Sequence, residues 1–292
     1  MLELRHFRYF VAVAEELHFG RAARRLHISQ PPLSQQIQAM EAHLGATLFH
    51  RSRRRVELTE AGALLLGEAR KALAQAELAE ATVRRASKGE VGSLQIGFTG
   101  SSPFNEVMPR LVGRFRRAWP DVQLSLREMS TAAQLDALAE GTLDIGFARP
   151  GTEVNLPEVE LRLVQREPLL AAFNTDHPLA ARDRVAMADL AGQPFILHPR
   201  QIGTGLYDRV MGLAAAAGFT PQVVIEAHQM SGIVSLAAIG LGVSVVPEAM
   251  RRVTIDGLEL RPLVDAMAHI DLFVAHRRHR LPPPAANFLA LL

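Results

Sequence analysis

The chain of 292 residues is 48% hydrophobic and 21% charged, carries a formal net charge of +2 and has no cysteine. That length predicts one large domain or two to three smaller ones, and the missing cysteine excludes disulfide scaffolds and thiolate chemistry. No apolar run reaches the roughly 18 residues of a membrane span, and the charged, aromatic start MLELRHFRYF lacks the apolar core of a secretory signal, so a soluble cytoplasmic protein is expected.

Charge is spread unevenly. Residues 1–58 hold nine arginines against five glutamates, 59–90 balance, and the remainder is slightly acidic. A basic head on an acidic body predicts an anionic partner at the head. Within that head, Leu4, Phe7, Val11 and Ala14 recur at helical spacing. Gly20 interrupts, and Ala22, Ala23 and Leu26 mark a short second helix. The stretch HISQPPLSQQI opens a third. Leu33, Ile37, Met40 and Leu44 share one face, which predicts a buried underside. Ser29 or Gln30 is the N-cap. Pro31 and Pro32 fall in the first turn, where N–H groups lack intrahelical partners in any case.

Ser34, Gln35, Gln38 and Ala42, with Pro31, point away from the apolar face. Short amides, a hydroxyl and an alanine suit base edges: Gln can pair bidentately with adenine, Ser accepts or donates, and apolar atoms touch the thymine methyl. A helix with this surface behind a short helix predicts a helix-turn-helix. LFHRSRRRVELT then sets Arg51, Arg53, Arg54 and Arg55 between Phe49 and the alternating Val56-Glu57-Leu58. This pattern predicts a two-stranded wing whose arginines contact phosphates or enter a narrow minor groove. Arg21, Arg24 and Arg25 add candidate phosphate contacts. The bland alternative is a solvated polar face.

Residues 59–88 form a proline-free Ala/Leu/Glu/Arg segment, which predicts a long helix capped by Thr59 with Glu60 at its positive end. Leu65, Ala69, Ala72, Ala76, Ala79 and Val83 lie on one seam near heptad spacing, as in a dimerising helix or a solvated linker. From residue 93 strands and helices alternate. SLQIGF, VQLSLREM, LDIGFAR, PLLAAF, PFILHP, QVVIEA, GVSVVP and HIDLFVAH are predicted strands. Helices are expected at PFNEVMPRLVGRFRRAWP, TAAQLDALAEGT, near 204–217 and 231–239, and in the tail 283–292. Alternation of this kind predicts a parallel sheet with right-handed crossovers.

The order LRHFRYFVAVAEELHFGRAARRLHISQPPLSQQIQAMEAHLGATLFHR, followed by LTEAG, resembles the LysR-type transcriptional regulators, and the resemblance runs through the whole chain. It implies an α/β protein with an N-terminal winged helix-turn-helix (1–58), a linker and dimerisation helix (59–88), and an effector-binding regulatory domain (89–292). That last domain would be two-lobed like type 2 periplasmic binding proteins, lobe one being 91–163 plus 268–292 and lobe two 164–267. By the same resemblance Gln30, Pro31, Ser34 and Gln35 approach bases, with Gln38 on the same outward face, and Arg51, Arg53 and Arg54 serve the wing. Many relatives carry a basic residue where Gln35 stands. Implied partners are an inverted-repeat operator in double-stranded DNA, RNA polymerase, a small-molecule co-inducer, and further copies of the chain as homodimer and homotetramer, with no membrane.

In such a domain the ligand lies between the lobes, at strand ends and helix N-termini. Ser101-Ser102-Pro103 follows a strand and starts a helix, and Ser130-Thr131-Ala132-Ala133-Gln134 does the same, with capping-box spacing from Thr131 to Gln134. Each offers hydroxyls beside free N–H groups, which suits a carboxylate or simply caps the helix. HPRQIGTGLYD adds Gly203, Thr204 and Gly205; His198 and Arg200 face the cleft or the surface. Arg149 is a candidate second anchor, and Phe147 and Phe104 supply apolar contacts or core. EMSTAAQLDALAEGTLDIGFAR is similar to regulators that answer to aromatic-catabolism acids such as benzoate or muconate. The histidines show no metal-ligand spacing, and no GxSxG elbow, Walker loop or GxGxxG follows a suitable strand. No cofactor, metal or enzymatic activity is expected. The rivals, a solute-binding protein or an α/β enzyme, leave the basic head unexplained.

Overall fold

The computed structural model describes residues 1–52, 55–151, 157–202 and 204–292, with the backbone alone for Thr204. Contacts divide it into two compact units, Met1–Arg85 and Ala86–Leu292. No helix among the described residues is long and apolar enough to cross a membrane.

The first unit begins with α1 (Leu4–Glu16), α2 (Phe19–Arg25) and α3 (Gln30–Leu44). His18 caps α2: its Nδ1 accepts the N–H of Gly20 at 3.0 Å and of Arg21 at 3.2 Å. Helix α3 starts after Ser29 with its prolines in the first turn and ends at Gly45, in left-handed conformation. Leu33, Ile37 and Met40 are buried with Phe10, Phe19 and Phe49. Leu44, expected on that face, is 41% exposed, because the helix stops there and its last turn overhangs the core. Strands β1 (Phe49–Arg51) and β2 (Val56–Leu58) form the antiparallel wing, with Arg51 opposite Val56. Its expected tip residues Arg53 and Arg54 lie outside the described residues.

Helix α4 (Glu60–Ser87) starts at Thr59, whose hydroxyl accepts the Gly62 N–H at 2.9 Å and donates to the Thr47 carbonyl at 2.7 Å. A Cβ on Gly62 would stand 2.2 Å from the Leu48 carbonyl oxygen, so α4 meets the core at a distance that only glycine allows. Glu15 of α1 ties the helices together, pairing with Arg25 of α2 at 2.7 Å and Arg70 of α4 at 2.8 Å. Both arginines hold its carboxyl below the usual carboxylate range, Arg70 most strongly. The seam of α4 is uneven: Ala69 is buried in the head, whereas Val83 is 70% exposed; off the seam, Leu78 is 57% exposed.

The second unit runs β3 (Gly92–Phe98), α5 (Val107–Ala118), β4 (Val122–Glu128), α6 (Thr131–Glu140), β5 (Ile145–Ala148) and β6 (Val159–Asn174). There follow β7 (Pro194–Leu197), α7 (Thr204–Ala216), β8 (Gln222–Glu226), α8 (Met230–Ala238), β9 (Ser244–Pro247), β10 (Leu258–Pro262), β11 (His269–Arg277) and α9 (Pro283–Leu289). The main sheet has the order β10-β6-β11-β5-β3-β4, with β9 also on β6, while β7 and β8 pair separately.

This sheet is mixed, not the all-parallel one that alternation predicts. Strand β3 is parallel to β4 and β5, but β6, β9, β10 and β11 pair antiparallel. The cause is the 16-residue β6, more than twice the length of the expected strand PLLAAF. Its residues 159–168 pair with β11 in lobe one, and 169–174 pair with β9 and β10 in lobe two. One core gathers Leu94, Ile96, Phe115, Phe147 and Phe288; the other gathers Leu169, Phe173, Phe195, Val210 and Val246. Phe147 is therefore core in lobe one, and Phe104 packs at the edge of the core of lobe two.

Candidate functional site

In the first unit Gln30, Pro31, Gln35, Gln38 and Ala42 are exposed, and Ser34 is half-buried. Ser34 and Gln30 line a groove of about 320 Å³ walled by the start of α2 and by Arg51, Ser52, Arg55 and Val56 of the wing. Arg51 is held in place. Its guanidinium pairs with Glu41 at 2.6 Å and lies 5.0 Å over the Phe19 ring. The other oxygen of Glu41 accepts the N–H groups of Leu48 at 2.8 Å and Phe49 at 3.1 Å. Sequence reasoning missed Glu41, since ten residues of chain separate it from its partner and no local period links them. Arg21 and Arg25 are likewise paired, with Glu16 and Glu15, and the outermost described wing cation, Arg55, pairs with Glu57.

In the second unit a cavity of about 310 Å³ lies between the lobes. Its wall includes Thr99, Ser101, Glu128, Ser130, Thr131 and Arg149 from lobe one and His198, His228, Met230 and Pro247 from lobe two. Ser130 is the true cap of α6, accepting the Ala133 N–H at 3.2 Å. Thr131, expected to open a capping box with Gln134, instead accepts the Arg149 N–H at 3.1 Å, since the helix begins one residue earlier. The serines at 101 and 102 start only a 3-10 turn, Ser102–Phe104. Asn105 caps α5 instead, its Oδ1 accepting from Val107 at 2.9 Å and Met108 at 3.1 Å. Ser102 is fully buried and bonds Thr99 at 2.9 Å, off the cavity wall. Arg200, exposed and paired with Asp208 at 3.3 Å, is also off the wall. The Thr204 side chain lies outside what the structure describes.

Arg149 is 4% exposed. Its Nη2 pairs with Glu167 of β6, and Glu167 in turn accepts the Ala249 N–H at 2.6 Å. Among the described residues its buried Nε and Nη1 have no hydrogen-bond partner. Buried guanidinium donors without acceptors are costly, and they favour an anion that supplies them. A Cβ on Gly205 of α7 would stand 2.1 Å from the Arg149 carbonyl oxygen, so lobe two touches the backbone of lobe one at this point. His198 donates from Nδ1 to the Ala227 carbonyl at 2.9 Å, and burial lowers its pKa, which favours the neutral ring. Sequence reasoning missed Glu128, Glu167, His228 and Pro247, which only tertiary structure brings here.

Two family profiles match the chain: the bacterial regulatory helix-turn-helix protein, lysR family, over residues 4–63, and the LysR substrate binding domain over 87–292. The chain is a LysR-type transcriptional regulator. Among its relatives, the uncharacterized HTH-type transcriptional regulator YnfL of Escherichia coli strain K12 is 45% identical across 98% of this chain and 96% of its own. Relatives of this kind carry the names of transcriptional regulators, not of enzymes. Full-length CbnR, a LysR family regulator solved with its target DNA, has a TM-score of 0.84 at 30% identity, covering 99% of this chain and 98% of that one. The BenM effector binding domain with its effector benzoate has a TM-score of 0.60 at 28% identity, covering 68% of this regulator and 91% of that chain.

Proposed function

We propose that this regulator reads one half of an inverted-repeat operator per protomer through Gln30, Pro31, Ser34, Gln35 and Gln38. Residues 1–58 bind DNA, 59–88 link and dimerise through the exposed side of α4, and 89–292 hold a small carboxylate co-inducer between the lobes. One observation carries this: an outward amide-and-hydroxyl face on α3 backed by fully buried Leu33, Ile37 and Met40. The target DNA bound by CbnR supports it. Arg53 and Arg54 reach phosphates or the minor groove; Arg51 positions the wing through Glu41 and meets DNA only at its edge.

In the cavity, Ser101, Ser130, Thr131 and Arg149 take the carboxylate, with His198 opposite. The orphan N–H groups of Arg149 and the benzoate held by BenM support this class of ligand. Ligand shifts the balance between two arrangements of the lobes, and can do so only through different affinity for each. Dimers pair into a homotetramer, and the changed DNA geometry is passed to RNA polymerase.

The test is binding of the purified regulator to DNA upstream of its own gene across a salt series. Specific binding should fall steeply with salt, in proportion to the phosphates neutralised. No binding at low salt overturns the proposal. Thr131→Val should leave DNA binding intact and blunt the response to effector; an unchanged ligand titration removes Thr131 from the site.

A further inference from the structure

We infer that Gln134 is a positioning residue of the effector site: a buried amide behind the cavity wall that fixes the turn carrying Ser130 and Thr131. The inference rests on the ligand reading above and adds to it a residue that does not line the cavity. Two observations, independent of each other, lead here.

The first is what Gln134 holds. It lies in α6, is fully buried and is absent from the cavity wall. It grips two consecutive carbonyls. Its backbone N–H donates to Ser130 at 3.0 Å, and its side-chain Nε2 donates to Met129 at 3.0 Å. The N–H of Met129 in turn donates to the Phe98 carbonyl of β3 at 2.9 Å. Both backbone polar groups of Met129 are therefore fixed, one by the sheet and one by Gln134. The next two residues inherit that placement: Ser130 caps α6, and Thr131 accepts the Arg149 N–H. Met129, Ser130 and Thr131 all line the cavity.

The second is what Gln134 costs. Its side chain lies in a slot cut into the sheet, where Gly97 of β3 stands opposite Gly146 of β5. A Cβ on Gly97 would lie 3.0 Å from Gln134 Cγ, and one on Gly146 would lie 2.9 Å from Gln134 Oε1. Glycine inside a strand weakens the sheet. Among the described residues, moreover, the buried Oε1 has no hydrogen-bond partner. An unmatched buried amide oxygen costs about as much as one neutral hydrogen bond returns, or more. A hydrocarbon side chain of the same length would fill the slot without that cost, so folding alone does not account for glutamine here. What the amide supplies, and a hydrocarbon cannot, is the grip on the Met129 carbonyl where the chain turns from sheet into site.

The experiment compares the full-length regulator with Gln134→Met, an unbranched side chain that adapts to such a slot. Three measurements are made: thermal melting, amide hydrogen exchange, and titration with benzoate, muconate and straight-chain mono- and dicarboxylic acids. The melting temperature should stay within about 3 °C, because the lost hydrogen bond is offset by removal of the orphan oxygen. Amides of Met129–Thr131 should exchange about tenfold faster, while those of residues 135–140 keep their protection. The acid that binds the unaltered protein most tightly should bind the variant about tenfold more weakly, the loosened turn no longer presenting its hydroxyls. Unchanged exchange at Met129–Thr131 overturns the inference, whether or not any acid binds. A larger fall in melting temperature also overturns it, since Gln134 would then serve the fold. So does an affinity within about threefold of the unaltered protein, the scale on which no positioning is lost. These three outcomes spare the carboxylate proposal. That proposal fails, and this inference with it, if no acid binds the unaltered regulator.

Discussion

The two units handle polar groups in opposite ways. In the head, polar side chains near the core are consumed internally: Glu41 by Arg51 and two N–H groups, Glu15 by two arginines, His18 and Thr59 by helix starts. What remains free is an outward face. In the regulatory unit Arg149, on the wall of the cavity, keeps two buried donors that have no acceptor among the described residues. A surface for a large, solvated partner is thus built on a rigid, self-satisfied scaffold, whereas a site for a small ligand is built from needs left open inside.

The sharpest way to break that contrast is to alter the two faces of α3. Ile37→Ala should cost about 2–5 kcal/mol, read as a lower melting temperature, because it opens a cavity in a closed core. Gln38→Ala or Ser34→Arg should stay within about 0.5 kcal/mol while changing which operator sequences bind. Equal losses on both faces would remove the outward face altogether.

Next come the two glycine contacts. Gly62→Ala and Gly205→Ala each push a methyl into a carbonyl oxygen, at 2.2 and 2.1 Å. Each should cost about 1–3 kcal/mol by overpacking. Gly62→Ala should weaken DNA binding, and Gly205→Ala ligand binding; calorimetric melting with the two titrations separates them. If both variants impaired both activities equally, the division of labour would be wrong.

A smaller loss is expected for Glu41→Gln. It unpins Arg51 and weakens two backbone hydrogen bonds, for about 1–2 kcal/mol. Denaturant melts should show the loss, and DNA affinity should fall because the wing loosens. Operator binding as tight as that of the unaltered regulator would mean that Arg51 does not position the wing.

The smallest effect concerns acid. Since the folded-state pKa of Glu15 is depressed, its contribution is present above the ordinary glutamate value near 4.5 and fades as pH falls through the lower folded value. Glu15→Gln should therefore destabilise the regulator at neutral pH by less than about 1 kcal/mol, and by nothing once both states are protonated. A difference between the two proteins that grows toward acid would reverse the assigned sign.

The head was largely legible in sequence because its signals are local. The spacing of Leu33, Ile37 and Met40, the prolines of the first turn and the Thr59 cap each act within a few residues. The limits appeared where chain ends or tertiary partners decide, as at Leu44 and in the Glu41–Arg51 pair. In the regulatory unit, buried strands such as LQIGF and FILHP announced themselves, whereas the first half of β6 did not. Its run VELRLVQRE is half charged, and it becomes a strand because β11 lies alongside. Strand β10, short and ending in proline, was missed for the same reason. The cavity drew Thr131, Arg149 and His198 from plausible local contexts. Glu128, Glu167 and Pro247 came from positions that nothing in their neighbourhoods marks.

The meeting of Gly205 with the Arg149 carbonyl has one more consequence. Where a helix already rests on a neighbouring backbone with no side chain between them, the lobes cannot come nearer along that line. The seam is a mechanical stop, and any ligand-driven movement must swing or slide about it instead of shutting like a jaw.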